Sequence, residues 1–170
     1  MTTTIDALFN VADFVTEEER AWQMKAREFA QTRIKPVIDQ DFEDRRLRID
    51  LIKEVGALGF FGMYMEGYGM AGASSVAYGL VAVEFEAVDS GFRTALSVQG
   101  SLAMGAIYKF GSEAQKQEWL PRMASAEAIG CFGLTEPQGG SDPSTMITTA
   151  KRDGDEWVIN GKKRWIGLAT

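Results

Sequence analysis

"CFGLTEPQGGSDP", Cys131–Pro143, divides this sequence into two halves of different character. Before it, from Thr16 to about Ala124, apolar residues recur at helical spacing. After it, strand and turn signals take over. The stretch opens inside an apolar run, Ile129–Leu134, that reads as a short buried strand. The run stops at a Thr-Glu-Pro turn, and two glycines and Ser-Asp-Pro follow. Backbone N–H groups in such a loop are donors without bulk. The loop therefore reads either as a plain connection or as a cradle for a large anionic ligand.

Upstream, Thr16 with Glu19 makes a capping box for a helix reaching about Asp39. Trp22, Ala26, Phe29 and Val37 form its apolar face, and Pro36 is expected to bend or end it. A short helix near Leu51–Leu58 is broken by Gly56, Gly59 and Gly62. "MEGYGMAGASS" reads as a loop whose Ser74 or Ser75 caps a helix over about Val76–Val88. Apolar density on all sides predicts that this helix is buried. A further helix spans about Phe92–Lys109 and stops at Gly111. Ser112 with Gln115 opens the last, which reaches about Ala124.

Downstream, Met146–Arg152 looks extended, Asp153-Gly154 marks a turn, and Trp157-Val158-Ile159 suits a strand. Asn160-Gly161 adds a second hairpin signal. The expected fold class is α+β: an all-α domain over residues 1–128, then the beginning of an antiparallel β domain over 129–170. Two or three strands cannot close a barrel or sandwich, so the sequence reads as the first part of a longer protein.

Composition narrows the chemistry. The net charge of −6 argues against general nucleic-acid binding. With no histidine among 170 residues, Ser-His-Asp and Cys-His catalysis and histidine-bearing zinc sites are excluded, and no metal site is expected. Cys131 is the single cysteine, which forbids an internal disulfide and suits a reducing compartment. No apolar run of about 18 residues predicts a membrane span. "MTTTIDALFN" has neither a secretory signal's pattern nor a transit peptide's arginines, so a bacterial cytoplasmic location is expected rather than a mitochondrial matrix one.

The loop "CFGLTEPQGGSDP", followed by "GDEWVINGKKRWI", resembles the acyl-CoA dehydrogenase family of flavoenzymes. The family's loop reads Leu-Thr-Glu-Pro, two variable positions, then Gly-Ser-Asp. Here these positions are Leu134, Thr135, Glu136, Pro137, Gly140, Ser141 and Asp142. "SSVAYGLVAVEFEAVDSGFRTALSVQGSLAM" and "YKFGSEAQKQEWLPRMASAEAIGCFGLTEP" resemble the glutaryl-CoA dehydrogenase branch.

The resemblance implies a helical N-terminal domain, a middle β domain and a C-terminal helical bundle, assembled as a homotetramer. It implies FAD, held by Phe132, Gly133, Leu134, Thr135, Gly140 and Ser141, with Trp165, Ile166 and Gly167 as a second flavin-contacting element. Without it, Trp165 would read as an ordinary core tryptophan. Ser141 would also contact the acyl-CoA, or cap the turn that Pro143 begins. Arg93 and Ser97 lie four apart on one helical face beside Thr94. By resemblance they hold the distal carboxylate of glutaryl-CoA, which arginine's fork suits; otherwise Arg93 reads as a solvated helix-start residue.

The implied reaction is α,β-dehydrogenation of an acyl-CoA thioester, with decarboxylation of glutaryl-CoA to crotonyl-CoA and electron transfer flavoprotein as acceptor. The family's glutamate base belongs to the C-terminal domain; no residue here matches it, and Glu136 is not assigned that role. The chain alone is expected to be inactive. Most members carry threonine or serine where this chain has Gly167. A peroxisomal-type short-chain acyl-CoA oxidase has a similar "KRWIG" stretch, so an oxidase, or another short-chain specificity, stands as an alternative. A non-catalytic helical interaction module is the alternative of another class.

Overall fold

The computed structural model describes residues 14–169. Helix α1, Glu17–Phe29, starts on the expected capping box. Thr16 Oγ1 accepts from the Glu19 amide at 3.2 Å, and the Glu19 carboxylate accepts from the Thr16 amide at 2.9 Å. Pro36 does not end the helical run. A π-helical turn, Ala30–Ile34, leads into α2, Lys35–Glu43, and Pro36 lies in the first turn of α2, where a missing N–H is tolerated.

Helix α3, Ile49–Ala57, is followed by a small hairpin, β1 Glu66–Gly67 and β2 Met70–Ala71, inside the expected loop. Ser74 caps α4, Ser75–Glu86, by accepting from the Ala77 amide at 3.0 Å. Its hydroxyl also donates to Glu19, which ties two helix starts together. The expected helix over Phe92–Lys109 is instead α5, Ser90–Leu96, a π-helical turn, Ser97–Ala103, and α6, Met104–Phe110. Helix α7, Glu113–Ala124, opens on the Ser112–Gln115 capping box.

The core is aromatic where α1, α3 and α4 meet. Phe60 packs edge-on against Phe85 at 5.5 Å and against Trp22 at 6.0 Å. The expectation that α4 is buried on all sides does not hold. Ala77, Val81, Glu84 and Phe85 face inward, whereas Val76 and Val83 are 50% and 59% exposed. Apolar density carries no directional signal, so the sequence could not separate the two faces.

Beyond α7 the expected strand at Ile129–Leu134 does not form. No ladder partner exists for it among the described residues, and a strand needs one. Phe132 and Leu134 are instead exposed. A short 3-10 turn, Pro143–Thr145, leads to an antiparallel pair, β3 Thr149–Asp153 and β4 Glu156–Asn160. Asp153 pairs with Glu156 across the two-residue turn Gly154-Asp155, where Gly154 has φ +60°.

Asn160-Gly161 turns no second hairpin. A Cβ on Gly161 would meet Thr148 Oγ1 at 2.0 Å, so this glycine permits a close chain approach rather than a turn. The order, helices and then an antiparallel sheet, is the expected α+β class. Among the described residues no helix is long and apolar enough to cross a membrane.

Candidate functional site

The loop of Cys131–Pro143 is held from beneath by its own glutamate. Glu136 is 3% exposed. Its Oε1 accepts from Lys163 Nζ at 2.9 Å and the Thr148 amide at 3.0 Å. Its Oε2 accepts from the Ile147 amide at 2.7 Å and Gln138 Nε2 at 2.6 Å. Burial alone would raise this carboxyl. The hydrogen bonds from Thr148, Ile147, Lys163 and Gln138 outweigh it and hold the carboxyl far below the usual carboxylate range. An anionic group with both oxygens occupied is no proton acceptor, in keeping with its place in the loop motif.

Two further bonds join the loop to the 163–167 segment. Lys163 Nζ donates to the Leu134 carbonyl at 3.2 Å, and the Arg164 amide donates to the Thr135 carbonyl at 2.9 Å. A Cβ on Gly133 would lie 3.5 Å from the Lys163 side chain, and one on Gly140 3.4 Å from Thr135 Cγ2. The residues quoted from the two halves of the motif thus form one surface.

On that surface Phe132, Gly133, Leu134, Gly140 and Ser141 are exposed, and Thr135 and Ile166 are part-exposed. Trp165 is 80% exposed, with φ +55°, a left-handed backbone that bulky residues rarely adopt. Arg164 lies over its indole at 4.0 Å. It is not a core tryptophan among the described residues. Neither Ser141 nor Trp165 has an intramolecular hydrogen bond there, which leaves their donors to solvent or a ligand. Ser141 does not cap the following turn. Asp142 does so, with its carboxylate accepting from the Ser144 amide at 3.0 Å.

Helix α5 and the π-helical turn bring Arg93 and Ser97 to the same side of the molecule. Arg93 Nη1 donates to Ser97 Oγ at 3.1 Å, and Nε donates to Glu86 Oε2 at 2.7 Å. Thr94 is exposed and makes no side-chain hydrogen bond among the described residues. Val98 then lies 3.7 Å from where a Gly167 Cβ would stand, and Gln99 binds Gly130. One helical stretch therefore touches both halves of the motif.

Sequence reasoning missed several members. Glu86 lies on a neighbouring helix, seven residues from Arg93, and no local period joins them. Tyr78 contacts Ser97 Oγ at 3.3 Å and Ser101 Oγ at 2.8 Å, extending a hydroxyl row beside Arg93. Lys163 was one of two adjacent lysines. Gln99 is fully buried, and a buried amide demands partners, but its flanking Ser97 and Ser101 give no sequence sign of that burial.

The comparisons agree with this layout. The model of the acyl-CoA dehydrogenase N-terminal domain matches residues 16–127, and that of the middle domain matches 131–170. A glutaryl-CoA dehydrogenase from Mycobacterium smegmatis, solved with FADH2, superposes with a TM-score of 0.91 at 52% identity, over 94% of this chain and 42% of that one. The mitochondrial short-chain specific acyl-CoA dehydrogenase of Bos taurus is 36% identical over 151 residues, 88% of this chain and 37% of the relative. A chain solved in work on the electron transferring flavoprotein of Acidaminococcus fermentans superposes with a TM-score of 0.85 at 36% identity, over 89% of this chain and 40% of that one. The chain thus spans about two-fifths of the length of these proteins. With the two domain models covering nearly all of the described residues, the chain belongs to the acyl-CoA dehydrogenase family.

Proposed function

We propose that this chain supplies one wall of an FAD and acyl-CoA site in an enzyme that oxidises acyl-CoA thioesters at the α,β bond, with glutaryl-CoA as the favoured substrate. The observation that carries this reading is the joined surface of residues 132–141 and 163–167, with its exposed indole and unpartnered loop serine. The fit to a flavin is chemical. A flat ring system takes an exposed aromatic face beside it, and a dinucleotide's phosphates take backbone donors from a glycine-bearing loop. Trp165, Ile166 and Gly167 would face the ring system, and the backbone of Phe132–Thr135 and Gly140–Ser141 would bind and orient it. Bound there, the flavin supplies the two-electron acceptor for the substrate's β-hydride.

The remaining roles belong to side chains. Ser141 would orient the thioester portion. Arg93, held by Glu86 and Ser97, would fix a distal carboxylate through its fork, with Thr94 and Ser97 adding hydroxyls. The α-proton needs a separate base of suitable pKa, and Glu136, whose two oxygens already accept four hydrogen bonds, is not that group. Electron transfer flavoprotein as acceptor and a homotetrameric assembly extend the same reading.

The test is a titration of protein at the full length of its relatives. Its flavin spectrum is expected to bleach on adding glutaryl-CoA under anaerobic conditions. Bleaching only by monocarboxylic acyl-CoAs would remove the glutaryl assignment, and no bound flavin would remove the whole reading.

A further inference from the structure

Glu136 does more than occupy a motif position. Four donors converge on its two oxygens: an ammonium, two backbone amides and a side-chain amide. They come from three separate stretches. Gln138 belongs to the loop itself, Ile147 and Thr148 immediately precede β3, and Lys163 follows β4. Lys163 is bifunctional, since it also donates to the Leu134 carbonyl. The Arg164 amide adds a backbone bond to Thr135 directly beside it. Two residues past Lys163 the chain enters the left-handed conformation that exposes Trp165.

We propose that Glu136 and Lys163 are positioning residues: their part-buried ion pair locks the 132–141 loop to the 163–167 segment and so pre-organises the flavin-facing wall before any flavin is bound. The proposal rests on the flavin reading above. Neither residue touches the ring in this account. They act through Leu134, Thr135 and the backbone leading to Trp165. Pre-organisation matters because a ligand otherwise loses affinity to the ordering of both segments. A charged acceptor with four partners over-determines the geometry as no neutral group of the same shape would. Glutamine shows why. Its NH2 group would face two of the four donors whichever way it turned, so it would break half of the cluster.

The experiment uses protein at the full length of its relatives, freed of flavin and titrated with FAD, in wild type, Glu136→Gln, Lys163→Met and Lys163→Arg. Flavin fluorescence reads affinity. Amide hydrogen exchange of the flavin-free protein reads the lock at Ile147, Thr148 and Arg164, with Ile52 and Leu120 as helical-domain controls. Glu136→Gln and Lys163→Met are each expected to speed exchange at the three reporter amides, leave the controls unchanged, and weaken FAD by about tenfold or more, the size of a lost hydrogen bond to a charged group. Lys163→Arg, which keeps the charge, is expected to restore most of both.

FAD binding unchanged in both disruptive variants would overturn the proposal while leaving the flavin site intact. Faster exchange at the controls as well would overturn it too, because the pair would then be a general stabiliser. Should Glu136→Gln fail to fold, Lys163→Met decides alone, since Lys163 is the more exposed partner of the pair. Wild-type protein that takes up no FAD would overturn the flavin reading and this proposal together.

Discussion

Gln99 Oε1 accepts the Gly130 amide at 2.7 Å, and through this bond the helix carrying Arg93 holds the entry of the motif loop. The same side chain donates to the carbonyls of Met123 and Ala128 at 2.8 Å each, so both of its donors and its carbonyl oxygen are engaged. Gln99→Leu keeps the volume but strands the Gly130 amide and the Ala128 carbonyl, while the Met123 carbonyl keeps the Ala126 amide at 3.1 Å. The expected cost is about 2–4 kcal/mol, from unsatisfied buried groups at about 1–3 kcal/mol each with partial relaxation. Urea unfolding of the variant against wild type checks it. A loss within error of zero would mean that water replaces the amide.

This residue also marks how far the sequence could be read. Capping boxes at Thr16 and Ser112 were legible because both partners lie within one turn. The Asp153–Glu156 hairpin was legible for the same reason. The failures share a cause. The composition of Ile129–Leu134 suits a strand, yet whether an apolar run becomes a strand depends on a distant partner. Asn160-Gly161 suits a turn, yet the role of Gly161 is set by Thr148 in another stretch. The site divides similarly. The motif named the loop residues, but the bonds joining it to Lys163 and Arg164 cross about 29 residues of chain, and no local pattern encodes them.

Arg93 gives the substrate prediction. Its Nε and Nη1 are engaged by Glu86 and Ser97, which orients the guanidinium and leaves Nη2 without an intramolecular partner among the described residues. In full-length protein Arg93→Ala is expected to lower kcat/KM for glutaryl-CoA by about 2–3 kcal/mol, and that for butyryl-CoA by much less, as for a lost charged hydrogen bond. Equal losses on both substrates would make Arg93 a structural residue.

Acid should unfold this chain through its clamped carboxylates. In Glu84 the Arg27 hydrogen bond is the main influence, and with Gln23 and the Arg27 charge it outweighs burial and lowers the pKa below its ordinary 4.5. In Asp41 burial pushes upward, but bonds and charges from Arg48 and Arg46 win and lower it below 3.8. A depressed folded pKa means stability that is present above the unfolded value and lost as pH falls through the folded one. Thermal midpoints are therefore expected to hold near neutrality and drop on going from about pH 5 to about pH 3. The gap between wild type and Glu84→Gln is expected to shrink over the same window. A gap independent of pH would show that Glu84 acts through packing alone.

Gly167 stands where the family resemblance implies a threonine or serine, and the structure has room for either. A Cβ there would find only Val98 Cγ2, at 3.7 Å, and the backbone φ is not in the left-handed range. Gly167→Ser is therefore expected to leave stability within about 0.5 kcal/mol, as for an ordinary surface substitution. It also places a hydroxyl donor beside the proposed flavin face, where glycine offers only backbone. In full-length protein the reduced flavin of the wild type is then expected to be reoxidised by O2 faster than that of Gly167→Ser, because the added side chain narrows access to the ring. Stopped-flow reoxidation in air-saturated buffer measures this directly. Equal rates, with folding preserved, would mean that the missing hydroxyl does not set the choice of electron acceptor.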